Sequence, residues 1–188
     1  MSELRRRFSS IRPAGTGFVG NHYYRQSEVA DILTIEEIRS CLSSFPTLQD
    51  KERDVHRFAS LIRQSCLRIF AILLYDRNES YVLEFIFRRD TDDRLPYGAD
   101  SLYYLPEEVA EQFVMRQWEF DPVILERDTF HRELHPKAII PFRSEKKIGE
   151  GSFGTVWEAT LDSYCQKLIP QGTGQVSTGA QLTCRRES

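Results

Sequence analysis

The sequence predicts a mainly α-helical protein. A helical domain is followed by a short β-hairpin, with a disordered arm before them and a disordered tail after them. Apolar residues recur every three or four positions across residues 27–120, which is typical of helices packed on a core. Near residue 150 the spacing changes to the alternation of strands. With 188 residues, 40% of them hydrophobic, the chain can bury one substantial core.

Residues 1–26 are predicted to form the flexible arm. They contain the basic run Arg5-Arg6-Arg7 and the turn-forming stretch 13–17, which holds one proline and two glycines. Ser9 follows the arginines at a spacing that a basophilic kinase accepts, although such short patterns often occur by chance. A domain of helices and a connector is then expected over residues 27–141.

Two helices are expected first. Ser27 can cap the first one, and Pro46 ends it. Its apolar stripe consists of Val29, Ile32, Leu33, Ile35, Ile38 and Leu42. Thr47 and Asp50 can begin a second, longer helix. Its buried face would comprise Val55, Phe58, Leu61, Ile62, Cys66, Ile69, Phe70 and Leu73.

Two further elements follow a break at residues 76–80. The apolar residues between Tyr81 and Ile86 indicate a short helix, although their β-branched content leaves a strand possible. Pro106 then precedes a helix over residues 107–120, with acids in its first turn. Its packing residues are expected to be Val109, Phe113, Met115 and Trp118.

Two groups of residues resemble metal ligands, and both are better explained without a metal. The cluster Asp90, Asp92 and Asp93 lacks the alternation, turn glycine and terminal glutamate of a calcium loop, so a solvated turn is expected. His131 and His135 lie four residues apart, but the glutamate of a zinc-protease motif is missing and a proline follows. No metal site is therefore predicted.

Charge and cysteine content narrow the class of protein further. The net charge is −3, and the basic runs are short and without interleaved aromatic residues, so no nucleic-acid surface is expected. The four cysteines form no C-x-x-C pair and no secretory signal precedes them, which indicates reduced thiols in the cytosol or nucleus. The apolar run 69–75 is too short to span a bilayer, so no membrane association is predicted.

The most informative motif is a glycine-rich loop near residue 150. Its residues are Ile148, Gly149, Glu150, Gly151, Ser152, Phe153, Gly154, Thr155 and Val156. Glycines let backbone amides approach phosphate oxygens, because no Cβ intervenes. Dinucleotide-binding folds share the G-x-G-x-x-G spacing, but they continue into a helix with an acid about twenty residues on. Here the residues after Gly154 alternate as a strand does, and no acid lies between Ser163 and Arg186.

This hairpin resembles the glycine-rich loop that opens the small lobe of eukaryotic serine/threonine protein kinases. The resemblance implies a partial small lobe over residues 142–168 that binds ATP with magnesium. The implied nucleotide-binding residues are Ile148, Gly149, Glu150, Gly151, Ser152, Phe153, Gly154 and Val156. Val156 would pack on the adenine, and Phe153 would form a hydrophobic flap. The alternative is a structural hairpin in which Gly-Glu-Gly is only a turn.

The other parts of a kinase are missing from the sequence. No H-R-D, D-F-G or A-P-E motif follows Val156, and Lys167 is the only downstream lysine, a weak counterpart of the ATP-pairing lysine. Catalytic residues are therefore not assigned, and no phosphotransferase activity is expected from this chain alone. Residues 169–188 are poor in large apolar side chains, which predicts a disordered tail and suggests a truncated or misjoined coding region.

Two short landmarks upstream add a second resemblance. Leu95-Pro96-Tyr97 and Gln117-Trp118-Glu119-Phe120 resemble the helical extension that precedes the kinase lobe in many filamentous-fungal protein kinases. Each landmark alone is also explained as core residues of any helical domain. The alternative function is a helical module that binds a protein partner, with a vestigial kinase-like end.

Overall fold

The computed structural model describes residues 3–16, 22–126, 133–151, 154–167 and 180–182. These residues confirm the mainly helical fold with a small antiparallel sheet. The chain divides into two compact units. The helical unit comprises Met1–Arg12 and Tyr24–Asp121, and the β unit comprises Pro13–Tyr23 and Pro122–Ser188.

The described helices all belong to the helical unit. They are α1 (Glu3–Ser9), α2 (Gln26–Ile32), α3 (Ile35–Ser43), α4 (Glu52–Ser65), α5 (Leu67–Tyr75), α6 (Val82–Arg88) and α7 (Glu107–Phe120). Short 3-10 turns at Pro46–Leu48, Glu79–Tyr81, Asp92–Arg94 and Ala99–Leu102 connect several of them. One continuous apolar core includes residues from α1 to α7.

The N-terminal arm contains more structure than its polar composition indicates. Leu4 and Phe8 lie one helical turn apart on α1, and both are buried in the core of the helical unit. Nε of Arg5 donates to the carboxylate of Glu79 at 2.7 Å. Because two apolar residues and an ion pair anchor α1, residues 3–9 form a packed helix where flexibility was predicted.

The first predicted helix is in fact two. Helix α2 ends at Ile32, and Thr34 caps α3 by accepting a hydrogen bond from the N–H of Glu37 at 3.3 Å. Ser27 lies inside α2, and its predicted capping role is wrong, since Arg25 occupies the N-cap position. The apolar stripe continues across the break, so its spacing did not reveal the second cap.

The second predicted helix is also divided, at Cys66. The axes of α4 and α5 are bent by 102°. The carboxylate of Asp92 accepts hydrogen bonds from the N–H groups of Arg68 at 2.9 Å and Ile69 at 3.0 Å, and so caps α5 from a distant part of the chain. Over the described residues no single helix is long and apolar enough to cross a membrane; only the bent α4–α5 pair, taken together, meets that length and composition.

The remaining helices follow the sequence closely. Residues Val82–Arg88 form a helix, not the strand that their composition left possible. Helix α7 has the predicted bounds and follows Pro106. The predicted packing role of Met115 is wrong, because this side chain is 62% exposed. It lies on the polar face of a helix whose buried face includes Val109, Phe113 and Trp118.

The β unit contains two antiparallel sheets. Strands β1 (Gly15–Thr16) and β2 (His22–Tyr23) form one; β3 (Phe142–Gly151), β4 (Gly154–Leu161) and β5 (Ala180–Leu182) form the other, in that order. Among the described residues of this unit, the buried apolar ones are Tyr23, Ile139, Phe142, Ala159 and Cys165. The tail predicted to be disordered lies outside the described residues, except for β5, which pairs with β4.

Candidate nucleotide-binding hairpin

The glycine motif occupies the end of a two-stranded hairpin. In the register of β3 and β4, Gly151 is opposite Gly154, and Gly149 is opposite Val156. All three glycines therefore lie at the end of the hairpin where β3 passes into β4. The predicted tip residues Ser152 and Phe153 lie outside the described residues.

A β-bulge precedes the first glycine. Lys147 pairs with Trp157 while Gly149 pairs with Val156, so Ile148 is the extra residue on β3. Its side chain is 46% exposed. A bulge changes the direction of side chains and increases the local twist, and bulges are common beside functional sites. The bulge leaves an exposed apolar side chain beside the glycines.

The backbone at Gly149 is open to an approaching group. Among the residues that the structure describes, and apart from its chain neighbours, a Cβ atom added at this position would meet no atom within 4 Å. Packing against the described residues therefore does not require glycine here. An external group such as a phosphate could make that requirement, since it needs close contact with the backbone amides.

The charges on this hairpin form a local pair. Nζ of Lys147 donates to Oε2 of Glu150 at 2.6 Å, and both side chains are exposed. This hydrogen bond, and then the positive charge of Lys147, lower the pKa of Glu150. The pair is in solvent, so salt screens it strongly and it adds little to stability.

Lys167 lies outside the three-stranded sheet. It follows the 3-10 turn Ser163–Cys165, and its N–H donates to the carbonyl oxygen of Leu125 at 2.7 Å. Its ammonium group contacts Oε1 of Glu126 at 2.5 Å. The described strand next to β4 is β5, so Lys167 does not occupy a third strand of the hairpin sheet.

The β unit also contains buried contacts that the sequence did not indicate. The hydroxyl of Tyr23 donates to Oδ2 of Asp162 at 3.0 Å, and both residues are fully buried. The N–H of Asp162 donates to the carbonyl oxygen of Pro141 at 2.9 Å. A Cβ added at Gly15 would lie 2.8 Å from the hydroxyl of Tyr23 and 3.1 Å from the carbonyl oxygen of Phe142. These contacts join residues 15 and 23 to the start of β3 and the end of β4.

The acidic cluster of the helical unit is structural. Asp90 is only 4% exposed, and it accepts hydrogen bonds from the hydroxyl of Tyr104 at 2.8 Å and from Arg94. Asp92 caps α5, and burial raises its pKa against the opposing effect of those backbone hydrogen bonds. Of the three acids only Asp93 is exposed, so the prediction that this acidic cluster is a solvated turn is wrong.

Among the residues that the structure describes, no group of three His, Cys, Asp or Glu side chains is arranged to hold a metal ion. Of the two histidines that the sequence placed four residues apart, His131 lies outside the described residues. Nδ1 of His135 accepts a hydrogen bond from the N–H of Lys137 at 3.1 Å. This contact closes a local turn.

The two upstream landmarks meet in the structure. Oε1 of Gln117 accepts from the N–H of Tyr97 at 2.7 Å, and Nε2 of Gln117 donates to the carbonyl oxygen of Tyr97 at 2.9 Å. Nε2 also donates to the carbonyl oxygen of Val114 at 3.1 Å. Phe120 stacks on Tyr24 with ring centroids 4.7 Å apart. Hydrogen bonds thus join the two landmarks within the helical unit.

Comparison of this chain with models of protein families, with curated proteins and with solved structures finds no match. The kinase resemblance therefore stays a prediction that depends on the residues of the hairpin.

Proposed function

We propose that this chain is related to eukaryotic serine/threonine protein kinases and that its glycine hairpin binds the phosphates of ATP. The observation that carries the proposal is the open backbone at Gly149, beside the paired glycines Gly151 and Gly154. A hairpin that used these glycines only for its turn would have no need of glycine at position 149. A phosphate-covering loop has that need.

Neighbouring side chains suit the rest of a nucleotide. Ile148 and Val156 lie next to Gly149, one along the bulged strand and one across the hairpin. Both are apolar and at least partly exposed. They offer a surface for the adenine ring, and backbone N–H groups next to the glycines would bind the phosphates. Magnesium would accompany the bound ATP and would not require a protein ligand in this hairpin.

The same chain is proposed to have no phosphotransferase activity of its own. Phosphoryl transfer depends on a lysine, carboxylates and metal ions held in position around the phosphates. The sequence contains no H-R-D or D-F-G motif, and the ammonium of Lys167 contacts Glu126. Binding without turnover is the expected behaviour.

A titration of the labelled protein with MgATP, followed by NMR, tests the proposal. We expect shifts of the amide signals between Gly149 and Val156, with a Kd weaker than about 1 mM. Gly149→Ala should abolish these shifts and leave the fold intact, because its Cβ meets none of the described atoms beyond its chain neighbours. Gly98→Ala is the matched control, since a Cβ at Gly98 likewise meets no described atom within 4 Å.

Two results would overturn the proposal. An absence of shifts in the hairpin at saturating MgATP would remove the nucleotide role. ATP-dependent phosphorylation of a generic protein substrate by this chain, with label incorporation above that of a heat-inactivated sample, would overturn the claim of inactivity.

A second function is supported by a different observation. We also propose that the helical unit binds a protein partner, because two large apolar side chains are exposed together beside an open groove. Phe87 is 66% exposed and Leu61 is 39% exposed, and both line that groove. Clustered exposed apolar residues are typical of protein interaction sites, whereas single ones are ordinary.

A further inference from the structure

A groove of about 570 Å³ opens on the helical unit between α4, α6 and the residues that follow α6. The residues of its lining that matter here are Arg57, Phe58, Leu61, Phe87, Arg89 and Asp90. A volume of this size accommodates several large side chains of a ligand.

The exposed apolar part of the groove packs on a residue of the core. The ring of Phe87 makes an edge contact with the ring of Phe58, with centroids 5.8 Å apart. Phe58 is only 4% exposed and belongs to the core, whereas Phe87 is 66% exposed. A buried ring therefore supports an exposed one. Rigid aromatic anchors of this kind contribute strongly to protein interfaces, because little side-chain entropy is lost on binding.

The charged part of the groove is positive. The guanidinium of Arg57 lies 4.8 Å above the ring of Phe58, and its ion pair with Asp54 is exposed at 3.4 Å. Arg89 caps the C-terminal end of α6 with a positive φ of 60° and has no ion pair within the described part of the chain. Asp90, the acid of the lining, is buried against Tyr104 and Arg94. The lining thus presents two exposed cations and no exposed anion.

We propose, building on the second function above, that this groove binds an acidic amphipathic helix of a partner protein. Leucine and phenylalanine side chains on one face of that helix would cover Phe87 and Leu61. Glutamate or aspartate residues beside that face would meet Arg57 and Arg89, which can hold carboxylates in a bidentate geometry. Binding of an amphipathic helix in an apolar groove is a recurrent mode of peptide recognition. Because the exposed charges of this groove are positive, complementarity favours a helix with negative charges.

Two synthetic helical peptides with the same leucine and phenylalanine face test the proposal. One carries glutamates on its polar face and the other carries lysines, and fluorescence anisotropy reports their binding to the full chain without nucleotide. We expect the glutamate peptide to bind at least about tenfold more tightly. Phe87→Ser, and separately Arg57→Gln combined with Arg89→Gln, should each weaken it about tenfold.

Met115→Ser is the matched control, because Met115 is 62% exposed on α7 and does not line the groove. Circular dichroism confirms the fold of each variant. The Met115→Ser variant should bind the glutamate peptide as tightly as the unmodified chain does.

Each contrary result has a distinct meaning. Equal binding of both peptides, weakened by Phe87→Ser, would overturn the acidic partner and leave the interaction function. Weakening by Met115→Ser but not by Phe87→Ser would overturn the groove. Self-association that Phe87→Ser abolishes, seen by sedimentation, would assign the groove to a second copy of the chain. Failure of both peptides to bind would overturn the proposal, while the NMR titration tests the nucleotide function independently.

Discussion

The helical unit and the β unit hold their shapes by different means. In the helical unit a continuous apolar core is accompanied by buried polar side chains such as Gln117 and Asp90, which form hydrogen bonds with residues 20 and 14 positions away. In the β unit the hairpin of β3 and β4 depends on backbone pairing, and a Cβ at Gly149 would meet none of the described atoms within 4 Å. Because backbone hydrogen bonds hold the hairpin together, its side chains are available for other contacts. In the proposed function, a nucleotide would therefore use backbone groups of the hairpin and would not depend on side-chain packing.

The largest expected effect is on the helical unit. Gln117→Leu keeps a similar volume but leaves the buried N–H and carbonyl groups of Tyr97 without their partner. We expect a loss of about 3 kcal/mol in the free energy of unfolding, measured with urea. Gln112→Leu is the matched control, because the hydrogen bond of Gln112 with Asn78 is exposed, and it should cost less than about 0.5 kcal/mol. Equal losses of stability in Gln117→Leu and Gln112→Leu would show that the buried hydrogen bonds of Gln117 contribute no more than the exposed one of Gln112.

A smaller effect is expected where the β unit is tightly packed. Gly15→Ala places a Cβ 2.8 Å from the hydroxyl of Tyr23 and 3.1 Å from a backbone oxygen, so the strands must shift. We expect a loss of about 2 kcal/mol, seen as roughly thirtyfold faster hydrogen exchange of the β3 and β4 amides. Gly149→Ala, in open space on the same unit, should leave exchange unchanged. Faster exchange in Gly149→Ala would contradict the open face.

The smallest effect concerns the cap of α5. Asp92→Ala removes the acceptor for the N–H groups of Arg68 and Ile69, and we expect a loss of about 1 kcal/mol at neutral pH. Burial raises the pKa of Asp92 above its ordinary value of 3.8, so the folded chain holds this proton more tightly than the unfolded chain. The stability that Asp92 contributes is therefore greatest below pH 3.8 and falls as the pH rises through the raised pKa.

Asp92→Asn tests the sign of this dependence, because asparagine does not titrate. Urea unfolding over the acidic range should show the unmodified chain gaining stability relative to Asp92→Asn as the pH falls. If the unmodified chain instead gained stability relative to Asp92→Asn as the pH rose, the hydrogen bonds to the charged carboxylate would outweigh its burial in setting the pKa of Asp92.

The sequence was informative where the signals are local. Pro106 and the periodic apolar residues after it predicted α7 with its bounds, and alternation after Gly154 predicted β4. The breaks at Thr34 and Cys66 were missed because apolar spacing continues across them. Asp92 caps α5 from 24 positions away, and Gly15 contacts residues on other strands, so neither role has a local signature. The space around Gly149 depends on where other parts of the chain lie, and no local signal in the sequence gives it.

Gln117 recognises the main chain of Tyr97, and not its side chain. These two hydrogen bonds therefore do not depend on the side chain at position 97, which is held separately by ring contacts with Phe85 and Phe113, whereas replacement of the glutamine loses both at once. In more distant chains of the same fold, the recognisable signature would be a glutamine twenty residues after the amide that it holds, whatever side chain that residue carries.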